Sequence, residues 1–134
     1  MIRQLDDKTL VSGQIQPHEV GDLKGMGVTM IVNNRPDGED PGQPAAAEIE
    51  AAAEAAGIDY RFLPITRGIG PADVECMQEA IRAADGKVLA FCRSGTRSTM
   101  AWALARRGQG ASVEELEQAA GEAGVDLSPI AHLL

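Results

Sequence analysis

Two short unbroken apolar runs, Val28 through Val32 and Val88 through Phe91, stand out along this chain. A segment that is apolar at every position, rather than at every second one, predicts a strand buried on both faces, as in the middle of a parallel sheet. Between and around them the pattern alternates with helical spacing. Thr9-Leu10-Val11 begins a first strand ending near Gly13-Gln14-Ile15, and Pro17 opens a helix reaching about Met26-Gly27. Residues 35–43 form a polar Gly/Pro loop; Pro44 then opens an Ala-rich helix that stops at Gly57, and 58–65 reads as a third strand. Pro71 starts a helix whose apolar positions Val74, Met77 and Ile81 lie on one face. Lys87 to Phe91 is the next strand, followed by a helix from about Ser98 or Thr99 to Gly108 that carries Trp102 as a core residue. Ser112-Val113-Glu114-Glu115 is a capping box for a further helix to about Gly124, and a short helix follows Ser128-Pro129. Alternating strands and helices predict an α/β fold with a central, mostly parallel sheet flanked by helices. The 134 residues, without repeats or a dividing linker, predict one domain over 1–134.

The chemistry concentrates at the end of the second apolar run. Cys92-Arg93-Ser94-Gly95-Thr96-Arg97-Ser98 is a strand, a loop of small residues and a helix start. Backbone N–H groups curling around the sulfur, with the positive end of a helix behind them, hold anions and favour a thiolate. Cys92 is therefore the expected nucleophile. Gly95 allows positive φ and close approach of an anion, and Arg97 offers a planar fork of donors suited to an oxyanion. Ser94, Thr96 and Ser98 supply hydroxyl donors to the sulfur or anion, and Arg93 either points outward to attract anions or is simply solvated. Arg35 is a second anion clamp, or it pairs with Asp37 or Glu39 to hold its loop. Cys76, the other cysteine, reads as a small buried hydrophobe.

Charge sharpens this picture. The net charge of −8 argues against nucleic acid as a partner. Yet residues 61–107 hold eight Lys/Arg against four Asp/Glu, so a basic excess surrounds the Cys92 loop. Two cysteines in unrelated segments make neither a disulfide framework nor a zinc spacing, and the two histidines have no motif around them. No metal and no cofactor are expected. No apolar stretch of ~18 residues exists, and the polar start at Met1-Ile2-Arg3-Gln4 is unlike a signal peptide, so no membrane partner and a cytoplasmic location are expected.

Two cysteine chemistries use such a loop. Cysteine phosphatases place five residues between Cys and Arg; here four separate Cys92 from Arg97, the length of a rhodanese-type sulfurtransferase loop, and Ser98 stands where the phosphatase arginine would be. A phosphatase also protonates its leaving alkoxide, commonly from an Asp on a neighbouring loop. Asp37, with Glu39 on the same loop after the second strand, is the candidate acid, unless both belong simply to a solvated loop. Asp73 is either a second candidate or a helix-end carboxylate that favours the dipole. Persulfide chemistry needs no acid, so both arguments lean towards sulfur transfer.

Four segments, Ser12-Gly13-Gln14-Ile15, Asn33-Asn34-Arg35-Pro36-Asp37-Gly38-Glu39, Pro41-Gly42-Gln43 and the Cys92–Ser98 loop, together resemble the bacterial beta-lactamase-hydrolase-like, phosphatase-like domain family, over nearly the whole chain. The resemblance implies a fold like that of the dual-specificity cysteine phosphatases, with Cys92 as nucleophile and Arg97 as anion-binding residue. Members are described both as phosphatases and as sulfurtransferases. Some are fused to a metallo-hydrolase of persulfide metabolism, a second domain not expected within these residues.

The leading expectation is a rhodanese-like sulfurtransferase. Cys92 takes sulfur from thiosulfate or a small persulfide and passes it to a thiol or cyanide acceptor. The alternative is a phosphatase acting on a phosphate oxyanion through a phosphocysteine. A third reading is a non-enzymatic persulfide or redox sensor with a protein partner of unknown identity.

Overall fold

A computed structural model describes residues 2–134 and forms both apolar runs into the central strands of a five-stranded sheet. The strands are β1 (Ile2–Gln4), β2 (Thr9–Ser12), β3 (Val28–Asn33), β4 (Asp59–Phe62) and β5 (Lys87–Phe91), in the order β1-β2-β5-β3-β4. All neighbours are parallel except β1 and β2. The helices are α1 (Val20–Lys24, entered through a 3-10 turn at Pro17–Glu19), α2 (Ala46–Ala56), α3 (Pro71–Ala83), α4 (Thr96–Gly108) and α5 (Val113–Glu122), with a last 3-10 segment at Ser128–Leu133.

Side chains alternate across a strand, so each apolar run divides between two cores. Val11, Met30, Val32, Val88 and Ala90 pack with Met77, Ile81, Trp102, Leu104 and Leu116 from α3, α4 and α5. Leu10, Ile31, Leu89 and Phe91 pack with Val20, Leu23, Ile49 and Ala53 from α1 and α2. Coverage on both faces is why β3 and β5 read as unbroken apolar runs. Trp102 is core, as expected, and its indole N–H donates to Asp6 Oδ2 at 3.2 Å.

The differences from the sequence reading have local causes. β1 is absent from that reading because three residues carry little pattern. The hairpin is made by Asp6, whose Oδ1 accepts from the N–H groups of Lys8 and Thr9 at 2.8 and 2.7 Å, folding the chain back onto β2. The helix expected from Pro17 is a 3-10 turn and then only five α-helical residues, with the poor helix former Gly21 inside. α2 begins at Ala46 rather than Pro44, because Asp37 Oδ1 takes the Ala46 N–H at 2.7 Å. α4 begins at Thr96, earlier than expected, because Gly95 adopts φ +94° and turns the chain into the helix. Cys76 is exposed, not a buried hydrophobe. Among the described residues, no helix is long and apolar enough to cross a membrane.

The register positions the site. Ser12 pairs with Phe91, Phe91 with Asn33 and Asn33 with Phe62, so four parallel strands end level with one another. The loops that follow them converge at the carboxyl edge of the sheet, where open α/β sheets hold ligands.

Candidate active site

Cys92 is the first residue past β5 and is fully buried. Its Sγ accepts a hydrogen bond from the Gly95 N–H at 3.1 Å, at the N-terminus of the 13-residue helix α4. Two glycines make this turn possible. Gly95 lies in the left-handed region that side-chain-bearing residues rarely adopt. Gly13, just past β2, lies behind the loop: a Cβ on it would stand 2.9 Å from the Arg93 carbonyl oxygen, while the Gln14 N–H donates to that same oxygen at 3.3 Å. The end of β2 thus braces the loop through contacts that only a glycine permits.

Arg97 is in the first turn of α4. Nη1 and Nη2 each donate to an oxygen of Glu39 at 2.8 Å, and Nη1 also donates to the Ile65 carbonyl at 2.8 Å. Its side chain remains 25% exposed. The Glu39 carboxylate, and after it the charge of an ionised Cys92, hold the Arg97 guanidinium above its ordinary pKa against the opposing effect of burial. Arg97 and Cys92 therefore share one electrostatic site.

Glu39 is the hub of the neighbouring loop. It accepts from Arg97 and from Arg35 Nε at 2.9 Å. Hydrogen bonding to Arg97, with Arg35 adding to it, holds its carboxyl at about 2, well below the ordinary 4.5. A depressed folded-state pKa contributes stability above the unfolded value and loses it as pH falls. Thermal midpoints should accordingly drop as pH goes from about 4.5 towards about 2. A Glu39→Gln variant should show a shallower decline over that window, which a melting series at pH 5, 4 and 3 checks.

Of the two readings of Arg35, the structure shows pairing. The residue is 3% exposed, and its Nε, Nη1 and Nη2 donate to Glu39, Gln14 Oε1 at 2.9 Å and Asp40 Oδ2 at 2.6 Å. The guanidinium holds the loop through Glu39 and Asp40 rather than Asp37, in place of the expected anion clamp. Asp37, expected as the acid, caps α2 through Ala46. Asp73 accepts from the Gly70 N–H at 2.8 Å, as a helix-end carboxylate does. Arg93 points outward, 68% exposed, with Nε 3.4 Å from Asp40. The Ser94 hydroxyl donates to Thr96 Oγ1 at 3.2 Å on the exposed rim of the loop. Ser98 turns beneath the loop instead of into it, donating to buried Asn34 Oδ1 at 2.8 Å. Roles for Asn34, Gln14 and Asp40 were not legible in the sequence; the hints were the polar pair closing an apolar strand at Asn33-Asn34 and the place of Gln14 and Asn34 in the segments that carry the family resemblance.

Residues 1–110 match the family model for the phosphatase-like domain of the beta-lactamase hydrolase-like protein. A curated relative, the beta-lactamase hydrolase-like protein of Xylella fastidiosa, is 38% identical over 128 residues, which is 94% of this chain and 30% of the relative. The chain thus spans less than a third of the length of the curated relatives it matches. A crystal structure of a candidate phosphatase from Neisseria meningitidis is 35% identical with a TM-score of 0.86, covering 98% of this chain and 95% of the other. The Pseudomonas aeruginosa protein TpbA, also solved in complex with pTyr, shares the fold at 21% identity and a TM-score of 0.68, over 93% of this chain and 75% of its own.

These likenesses overturn the expectation of sulfur transfer to a thiol or cyanide acceptor: both the family model and the structure at 35% identity are phosphatase-like. The physical fault lay in the loop-length argument. α4 starts at Thr96, so its first turn brings an arginine beside Cys92 even with four intervening residues. The spacing does not discriminate between the two chemistries.

Proposed function

Since this chain belongs to the phosphatase-like domain family of the beta-lactamase hydrolase-like proteins, we propose that it is a cysteine-dependent phosphatase acting through a phosphocysteine on Cys92. The observation that carries the reading is the Gly95 N–H held 3.1 Å from a buried sulfur at a helix N-terminus, with a guanidinium in the same site. Such a nest accepts the equatorial oxygens of a phosphoryl group as readily as a thiolate. In this reading Cys92 attacks phosphorus while the N–H groups of 94–97 and the Arg97 guanidinium stabilise the charge on the phosphoryl oxygens. Water then attacks the phosphocysteine and returns the thiolate.

The remaining residues take supporting roles. Ser94 and Thr96 offer hydroxyls at the rim, and exposed Arg93 raises the local concentration of anions. Ser98 and Arg35 are positioning residues, the first fixing α4 to Asn34 and the second fixing the 35–43 loop.

The test is acid-quenched turnover of 4-nitrophenyl phosphate read by intact mass. Wild-type protein should carry one additional phosphoryl group and release inorganic phosphate, and Cys92→Ser should do neither. Phosphate release that survives in Cys92→Ser would overturn the proposal.

A further inference from the structure

The acidic side chains on the loops around Cys92 are all engaged as hydrogen-bond acceptors. Three lie after β3. Asp37 holds the Ala46 N–H at 2.7 Å, Glu39 holds Arg97 and Arg35, and Asp40 holds Arg35 at 2.6 Å and Arg93 at 3.4 Å. The loop after β2, residues 13–16, and the loop after β4, residues 63–70, contain no acid. Asp73, the first acid beyond β4, accepts from Gly70. The Cys92 loop itself carries only neutral and basic groups. A general acid must reach the leaving oxygen with a proton to give. Here the acidic groups of these loops instead stabilise two helix ends and three guanidinium groups.

We infer that the substrate is a phosphoric anhydride or an aryl or acyl phosphate, whose leaving group departs as a stable anion, and not an alkyl phosphate. The inference rests on the phosphatase reading and narrows it. In the first step the Sγ–P bond forms as the P–O bond breaks, and the leaving oxygen departs with the electron pair and without a proton. In the second, water adds to phosphorus, the S–P bond breaks, and the products are inorganic phosphate, a proton and the Cys92 thiolate. An alkoxide is too basic to leave this way, whereas a carboxylate, a phosphate or an acidic phenolate is not.

The experiment is kcat/KM for aryl phosphates whose phenols range in pKa from about 7 to about 10, followed by an alkyl phosphate. kcat/KM reports only the steps up to formation of the phosphocysteine, so slow hydrolysis of that intermediate cannot mask the trend. With no acid, nearly a full charge develops on the leaving oxygen, and the rate should fall by several-fold to about tenfold per unit of leaving-group pKa. The alkyl ester should be inert, and Asp37→Asn and Asp73→Asn should leave the slope unchanged. A flat series in the wild type, or one that steepens in either variant, would reveal an acid and overturn this inference while leaving the phosphatase standing. No turnover of any ester would overturn both.

Discussion

Arg97→Ala should lower kcat/KM for 4-nitrophenyl phosphate by about 10²–10³, the loss expected when one preorganised donor to a developing oxyanion is removed. The guanidinium is preorganised by three hydrogen bonds, two to Glu39 and one to the Ile65 carbonyl, that fix its plane before any ligand arrives. Arg97→Lys should recover little, since an ammonium cannot span both oxygens of a carboxylate or phosphoryl group in the same plane. The fold should persist, because Glu39 keeps Arg35 and the Arg97 side chain is 25% exposed. Inorganic phosphate inhibition gives an independent check: its inhibition constant should rise along with the loss in kcat/KM. Activity within threefold of wild type would remove Arg97 from the anion site.

Arg35→Leu should produce the largest loss of stability among single changes around the site. A guanidinium at 3% exposure anchors two carboxylates and Gln14, and thereby ties the loop after β3 to the end of β2. Breaking a fully buried pair costs about 3–5 kcal/mol. Glu39 and Asp40 retain side-chain exposures of 28% and 43%, so water recovers part of their solvation and about 2–3 kcal/mol is expected. For a chain of this size that is a fall of roughly 10 °C in thermal midpoint. Urea titration should show a lower midpoint at unchanged slope. A loss below about 0.5 kcal/mol would mean that the ion pairs offset little more than their own desolvation.

The elements that carry the site were legible because their signals are local. β5, the turn at Cys92 and the helix after it lie in one contiguous stretch, and α3 and α5 announce themselves by apolar spacing and a capping box. What failed depended on partners far along the chain. Glu39 meets Arg97 across 58 positions and Ser98 meets Asn34 across 64, and no local pattern foretells either. Cys76 was misread from the usual burial of cysteine, although the inward face of α3 runs through Met77 and Ile81 and leaves it outside. The chemistry was misread for a related reason. Counting residues between Cys92 and Arg97 treats the loop as a ring of fixed register, whereas the early start of α4 sets where the guanidinium goes.

The hydrogen bond from Ser98 to Asn34 constrains how such a loop can change over time. Position 98 is where a five-residue spacing would put its arginine, yet its side chain is fully buried beneath the sheet edge. Ser98→Arg would drive a guanidinium into Asn34 and the core behind it, not into the anion nest. The two spacings are therefore not joined by a single codon change. Passing from one to the other requires inserting or deleting a residue between the nucleophile and the helix, a rarer event, and one that moves every inward-facing residue of α4 unless the turn absorbs it.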